Sequence, residues 1–373
     1  MRHVRSSALS ATALAISLMA ATAASPTTAS AAGENQQPFL PDLIVSSTIP
    51  ANGDLNPYGV AIVPRGFPAG GAIAAGDVIV SNFNNSTNVQ GTGTTIVKLT
   101  PNGPVAPAGQ ATTFFQGPTG LGPTTALGVL RRGFVLVGNL PTSGGAIQRP
   151  GSLLFLDRNG NQIAPSPYTN GFDGPWDLTI DDEFDHARVF IANVDTGTVT
   201  RLNLAVASSG VAVTNAAEIA SGYSVALNAA ALILGPTGLA YDPESDTLYV
   251  ASTNDNAIFA VPHAGSRTGS SGTGPVIFRD RHLRGPLALV FAPNGDLLTS
   301  NGDAVNADPT QPSEIVEFTK AGKFVREFNV DAAPGGAFGI GLAPISGDTV
   351  RSAWVDDNAN DITVLDRKTQ PGD

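Results

Sequence analysis

The 373-residue chain contains no cysteine and few charged residues, since only 14% of it is Asp, Glu, Lys or Arg. Without cysteine the chain cannot be cross-linked by disulfide bonds, and it cannot carry a lipoprotein anchor. After the N-terminal region, no stretch is long and apolar enough to cross a bilayer as a helix. The composition therefore excludes a small disulfide-built domain, and we expect no transmembrane anchor.

Basic side chains are also scarce, with 20 Lys and Arg against 31 Asp and Glu. Arg2 and Arg5 belong to a predicted leader, and removing it leaves 18 basic residues and a net charge of −13. Nucleic acids and anionic membranes both require clustered Lys and Arg. We therefore expect no nucleic-acid partner, but a small molecule, a cation or a protein, bound by a monomer.

Residues 1–32 have the features of a secretory signal peptide. Arg2, His3 and Arg5 form a basic start, Ala8 to Ala24 is apolar, and Ala29-Ser30-Ala31 fits a small-residue cleavage site. A polar linker at 33–40 follows. The sequence thus predicts a protein that is secreted or periplasmic.

Glycine and proline are plentiful instead, at 42 and 28 residues, as expected for many short strands joined by turns. The clearest unit opens at Gly235-Pro236 and contains three apolar runs, Leu239–Tyr241, Thr247–Ala251 and Ile258–Val261. Turns rich in Asp, Asn, Pro and Ser separate the runs. Each such unit predicts a small antiparallel sheet.

The same pattern occurs six times. The units open at Pro57, Pro123, Pro175, Pro236, Pro286 and Ala337, which lie 66, 52, 61, 50 and 51 residues apart. A period of about 50 residues with four strands per unit is typical of a β-propeller. We therefore predict an all-β, six-bladed propeller over residues 41–368, with a tail at 369–373.

Two further segments bear on this architecture. Leu43 to Ile49 alternates as a strand before the first unit, and the sixth unit has only three strands, so we predict that this segment completes the last blade and closes the ring. Ser221 to Leu234 is rich in Ala and Leu and predicts a short helix.

A small polar residue ends the second strand of every unit. In the predicted register these residues are Asn82, Asn139, Asn193, Ser252, Asn301 and Asp356. They could ring one mouth of the central channel and bind a ligand or, through amide and carboxylate oxygens, a cation such as Ca²⁺ or Mg²⁺. The alternative is that each residue only caps its own turn.

Two more candidates enter the same region. Asp177 is expected to reach the channel from the same face, and Trp176 could stack on a ligand ring. His282 lies in the loop between the fourth and fifth units, beside Arg279, Arg281 and Arg284. It could act as a general base, or this basic loop could simply balance an acidic rim.

The fourth unit resembles the NHL repeat. Pro236-Thr237-Gly238-Leu239-Ala240 matches the opening of that repeat, and the turn Ala251 to Ile258 matches its Asp/Asn-rich turn, with Ser252 in place of the acid and Ala257 in place of an Arg. The other units match weakly. The resemblance implies a six-bladed propeller of the group that also holds the TolB-like and gluconolactonase-like (SMP-30-type) proteins.

Gluconolactonase-like relatives hold a divalent metal in the channel with Glu, Asn and Asp ligands. By that resemblance, Asn139, Asp177 and Asn193 could take the metal here, although the blades open with Gly-Pro where the relatives carry the ligands. Three hypotheses follow: a propeller that binds a ligand on its loop-bearing face, a metal-assisted lyase or lactonase with His282 as base, or a structural envelope protein. The sequence does not decide whether the chain is an enzyme.

Overall fold

The computed structural model describes residues 43–302 and 304–369. The predicted signal peptide and linker, and residues 370–373 of the predicted tail, lie outside the described residues. Within those residues, all regular secondary structure is β. The strands in chain order are β1 (Leu43–Ser47), β2 (Leu55–Ile62), β3 (Val78–Asn84), β4 (Thr95–Leu99), β5 (Thr112–Gln116), β6 (Pro123–Leu130), β7 (Phe134–Asn139), β8 (Thr142–Ser143), β9 (Ala146–Ile147), β10 (Ser152–Asp157), β11 (Gln162–Tyr168), β12 (Pro175–Asp182), β13 (His186–Asn193), β14 (Thr198–Ala207), β15 (Gly210–Ser221), β16 (Ala226–Asn228), β17 (Leu232–Leu234), β18 (Pro236–Asp242), β19 (Thr247–Ser252), β20 (Ala257–Pro262), β21 (Val276–Phe278), β22 (Pro286–Phe291), β23 (Leu297–Asn301), β24 (Glu314–Phe318), β25 (Phe324–Asn329), β26 (Ala337–Ser346), β27 (Thr349–Asp356) and β28 (Asp361–Lys368).

Six antiparallel four-stranded sheets form the blades of a propeller, as predicted. In order from the inner to the outer strand they are β2-β3-β4-β5, β6-β7-β10-β11, β12-β13-β14-β15, β18-β19-β20-β21, β22-β23-β24-β25 and β26-β27-β28-β1. Middle strands such as β19 are buried almost throughout, whereas the outer β25 is mostly exposed. This is why the middle strands appear in the sequence as continuous apolar runs.

The predicted closure is confirmed. β1 pairs antiparallel with β28, from Leu43 opposite Leu365 to Ser47 opposite Asp361. Beyond the strand, Thr48 donates to the carbonyl of Asn360 through its backbone N–H and its hydroxyl. The last blade therefore takes its outer strand from the start of the described chain.

The helix predicted between Ser221 and Leu234 is wrong. The segment forms a hairpin of β16 and β17. Its turn is fixed by Asn228, whose side-chain oxygen accepts the N–H groups of Ala230 and Ala231. Leu232 has a φ of 61°, and Ile233 is 3% exposed. Local Asn hydrogen bonds and burial of Ile233 outweigh the helix propensity of the Ala-rich run.

The core consists of apolar layers between neighbouring blades. Five of the six layers hold ten or more buried hydrophobic residues each. Between blades 5 and 6 only Ala288, Ile315 and Ile340 are fully buried, while Leu342 and Trp354 remain partly exposed. This layer, which we call the 5–6 seam, is the thinnest part of the core.

Near the axis, polar links replace apolar packing. The Ser81 hydroxyl accepts from Gly59 N–H and donates to Thr124 C=O in the next blade, both at 2.7 Å. The Thr124 hydroxyl in turn donates to Pro175 C=O at 2.8 Å. The backbones also approach closely, because a Cβ built on Gly339 would lie 2.0 Å from Tyr58 O. At positions such as Gly339 and Ser81, a small or hydroxyl-bearing residue is therefore a steric requirement of the ring.

Deleting β1 should disrupt the fold. Without Leu43 to Ser47 the edge of β28 is unpaired and the partly buried Ile44 is lost, so we expect aggregation or a loss of cooperative melting. Circular dichroism and size-exclusion chromatography measure this, with deletion of residues 33–40 as the control. A soluble β1 deletion variant that melts like the parent would contradict the role of this strand.

Candidate functional site: the channel and its cap

The six predicted polar residues occupy equivalent positions. Each pairs with the residue at which its repeat unit opens, and the pairing register shifts immediately afterwards in every blade. In blade 1 the two strands continue two residues beyond this pair, since β2 begins at Leu55 and β3 ends at Asn84. The pairs are Asn82 with Pro57, Asn139 with Pro123, Asn193 with Pro175, Ser252 with Pro236, Asn301 with Pro286 and Asp356 with Ala337. We call the face at which these residues lie the upper face.

Their side chains bond locally. Asn139 Nδ2 donates to Ser152 O and Oγ, and Asn193 Nδ2 donates to the hydroxyls of Thr198 and Thr200. Ser252 donates to Asp255. Similar local contacts hold Asn82 (to Thr48 O and Thr95), Asn301 (to His282 O and Glu314) and Asp356 (from the N–H groups of Asn358 and Ala359). These are the contacts expected of turn caps, and a role in ligand binding stays a prediction.

An aromatic cluster fills the channel just inside the upper face. The Tyr58 ring stacks on Phe83 and Phe338, with centroids 4.7 Å and 4.5 Å apart. Trp176 packs 5.4 Å from Phe83 and 5.9 Å from Tyr58. Trp176 is 3% exposed, so in this structure it stacks on its neighbours and not on a ligand. Burial raises the pKa of the Tyr58 hydroxyl far above its usual range.

Loops of blades 1 and 2 and the β16–β17 hairpin fold together above this cluster. Thr142 N–H donates to Gly91 O, and Gln90 Nε2 donates to Ala230 O at 2.8 Å. These bonds join three segments: the blade 1 loop, the β8–β9 hairpin and the β16–β17 hairpin. We call these three segments together the cap. Leu140 and Ile233 from the cap region pack in the aromatic cluster. The upper mouth is therefore covered.

A cavity of about 290 Å³ remains in the channel below the aromatic cluster. All six inner strands line it, from the level of Gly59 and Asp177 to Tyr241 and Phe291. Tyr241 and Phe291 are partly exposed, so the cavity extends toward the face at which the inner strands end, which we call the lower face. Asn139, Asn193 and His282 do not line it.

Asp177 is the only carboxylate among the described residues that line this cavity. Burial raises the pKa of Asp177 well above its usual range, although backbone N–H groups of Leu178 and Leu239 oppose the shift. The Leu178 N–H lies 2.8 Å from Asp177 Oδ1. Tyr241 is the other titratable residue of the lining, and its hydroxyl donates to Asp246 at 3.0 Å. The channel thus offers one half-buried acid and no basic side chain from the described chain.

His282 lies elsewhere on the upper face. Its ring stacks on Phe324 at 3.6 Å, and Nδ1 lies 3.2 Å from both carboxylate oxygens of Asp280. Arg284 beside it pairs with Asp308 at 2.8 Å. His282 does not line the channel cavity that Asp177 lines, and a catalytic role for it stays a prediction.

The structure shows no ready-made metal cluster in the described part of the chain, where no three Asp, Glu, His or Cys side chains group suitably. Over the same residues no helix is long and apolar enough to cross a membrane.

The sequence reasoning missed the aromatic cluster, although a signal for it is present. Tyr58, Trp176 and Phe338 each directly follow the residue at which a repeat unit opens, in blades 1, 3 and 6. Three large aromatic side chains at one register around a narrow ring must meet at the axis.

With this geometry, the chain is a six-bladed β-propeller, and its structural neighbours are gluconolactonase-like and regucalcin-like propellers. It is similar to a gluconolactonase from Xanthomonas campestris, with 13% identity and a TM-score of 0.53 over 87% of this chain and 89% of that one. It is also similar to a calcium-binding regucalcin from Agrobacterium tumefaciens, with 13% identity and a TM-score of 0.51 over 87% and 95% of the two chains.

A luciferin-regenerating enzyme is likewise similar, with 12% identity and a TM-score of 0.51 over 88% of this chain and 96% of that one. No family model matches the sequence, and no curated protein is significantly similar to it. At these identities the likeness shows the shared fold.

Asn139→Ala and Asn193→Ala should act independently on stability. Asn139 bonds only within its own turn, so we expect a loss of about 1 kcal/mol, and about 1–3 kcal/mol for the more buried Asn193. The double variant should lose the sum within about 0.5 kcal/mol, because the two residues share no partner. Chemical denaturation measures this, with exposed Asn215→Ala as the control. Clear non-additivity would favour one shared site.

Asp177→Asn should change how stability depends on pH. The native state keeps the Asp177 proton above pH 4, where an unfolded Asp has lost it, so this residue's contribution to stability falls as pH rises toward its raised pKa. We expect Asp177→Asn to melt at a higher temperature than the parent at pH 8, with the difference shrinking toward pH 4. Asp348→Asn removes an exposed charge and is the matched control. Identical pH profiles of parent and Asp177→Asn would refute the burial argument.

Proposed function

We propose that the chain is an exported binding propeller that takes a small cationic ligand into the channel from the lower face. The observation that carries the proposal is Asp177, a half-buried carboxyl group inside the channel, without a basic partner in the lining of a 290 Å³ cavity. A buried charge is stable only when it is paired, so ionised Asp177 favours a metal ion or an ammonium group. The rest of the lining combines small and aliphatic side chains with exposed backbone polar groups, and it would contact the body of an organic ligand.

The covered upper mouth supports entry from below. Ligands that approach from the upper face meet the cap and then the aromatic cluster. In that cluster Tyr58, Phe83 and Trp176 are each at most 3% exposed. Export rests on the predicted signal peptide. A binding role also fits the cavity lining, whose described residues include no second carboxyl group and no His, Lys or Arg, and whose one Tyr hydroxyl, that of Tyr241, donates to Asp246.

A metal-assisted lactonase is the second candidate, because the fold is shared with a gluconolactonase. In this version Asp177 would bind the ion and the cavity would hold a sugar lactone. Asn139, Asn193 and His282 lie outside the cavity lining. The chemistry would therefore depend on Asp177, backbone groups and water.

Thermal unfolding at pH 8 tests the proposal. The probes are Ca²⁺, Mg²⁺, Zn²⁺ and tetramethylammonium, each added after EDTA treatment. At least one should raise the melting temperature of the parent and of Asp348→Asn but not that of Asp177→Asn, because a ligand that binds only the native state stabilises it. If no probe shifts the melting temperature of the parent more than that of Asp177→Asn, binding at Asp177 is refuted.

Hydrolysis of a sugar lactone separates the two candidates. Turnover that needs the metal and is lost in Asp177→Asn would establish the lactonase. Binding of a probe without turnover would support the binding protein.

A further inference from the structure

Two carboxylates on the upper rim of blade 3 have oxygen atoms without a hydrogen-bond partner. The Asp195 side chain is 0% exposed, and its Oδ1 accepts from Arg149 Nη2 at 2.8 Å. Its Oδ2 is buried without a partner, and so is Asp173 Oδ1. Buried carboxylate oxygens are normally satisfied, and exceptions indicate a missing water or ion.

The backbone holds these two residues side by side. Asp195 N–H donates to Asp173 O at 3.2 Å. The residue after Asp173 is Gly174, with a φ of 73°, and a Cβ built there would lie 2.9 Å from Asp195 Oδ2. The unpartnered oxygen of Asp195 thus lies against the segment that carries Asp173. Asn193 Oδ1 accepts Asp173 N–H at 3.3 Å and so helps to position that segment.

The local charge is only partly balanced. Burial raises the pKa of the Asp195 carboxyl, and the charge of Asp173 raises it further, although Arg149 opposes both. The Arg149 side chain is 55% exposed, so water screens its attraction. A cation between the two carboxylates would offset their repulsion.

A polar pocket of about 250 Å³ opens beside Asp173. Its lining includes the hydroxyl groups of Thr196, Thr198 and Thr200 and the carboxylate of Glu218, but not Asp195. The pocket gives an ion and its water molecules access from solvent to Asp173. Two carboxylates with hydroxyl, carbonyl and water oxygens form a set that suits the flexible coordination of Ca²⁺ better than the strict octahedron of Mg²⁺.

We propose that Asp173 and Asp195 bind a calcium ion on the rim of blade 3. None of the residues in this argument lines the channel cavity, so the site is separate from Asp177 and does not rest on the proposed function. With only two charged ligands, the dissociation constant should be on the order of 0.1–1 mM, as for extracellular calcium modules.

Calorimetric titration of the full chain with CaCl₂ after EDTA treatment tests the site. The parent, Asp177→Asn and Asp348→Asn should each bind one equivalent of calcium with the dissociation constant expected for the blade 3 rim site. Asp173→Asn should weaken binding at least about tenfold, because it removes one of two charged ligands. If Asp173→Asn binds as the parent does, or the parent takes up no calcium at about 10 mM, the proposal is wrong.

Arg149→Gln gives a result of opposite sign. Removing the competing positive charge should tighten calcium binding by about tenfold, while Gln still provides an N–H donor to Asp195. Both Arg149→Gln and Asp173→Asn keep the buried Asp195. The test therefore does not need an Asp195→Asn variant, which could fail to fold. Unchanged or weaker calcium binding in Arg149→Gln would show that the orphan oxygens bind water and would overturn the site.

Discussion

The close approach of six inner strands around one axis is the constraint on which the rest of the structure depends. Where backbones come this near, side chains must be small or absent, and carbonyl groups need donors from the next blade. Gly339 and Ser81 show the two solutions, a missing side chain and a bridging hydroxyl. Farther out the blades diverge, and apolar layers fill the widening space. The ring therefore has a polar, tightly spaced hub and an apolar periphery.

The same constraint determines what the channel can do. At the upper end of the hub Tyr58, Phe83, Trp176 and Phe338 stack, and the cap covers them. Below this level the lining is mostly small or aliphatic, with Tyr241 and Phe291 toward the lower face. Asp177 has the one carboxyl group among the described lining residues, so it dominates the electrostatics of the cavity. The rim of blade 3, in contrast, has its two carboxylates on adjacent loop segments, independent of the axis.

The sequence predicts the architecture well because the repeat itself is a consequence of blade geometry. The six opening residues, the register of Asn82 and its equivalents, and closure by the N-terminal strand all follow from periodicity. The cap does not, because it consists of loops that differ from blade to blade and meet through single contacts such as Gln90 with Ala230. Strand register predicts that Asp177 lies in the channel. Register does not determine whether the side chains of Asn139 and Asn193 face inward, because that depends on which neighbours their amide groups bond. Pattern alone could not identify those partners.

The 5–6 seam has a further consequence for the motions of the ring. A closed ring opens where separating two blades exposes the least apolar surface, and this seam has only three fully buried hydrophobic residues. Slow fluctuations should therefore begin there, with amide protons of β26 exchanging before those of β12. Because the β1–β28 ladder lies within blade 6, an opening at this seam leaves that ladder intact. We therefore expect the 5–6 seam to be the most flexible of the six interfaces between neighbouring blades.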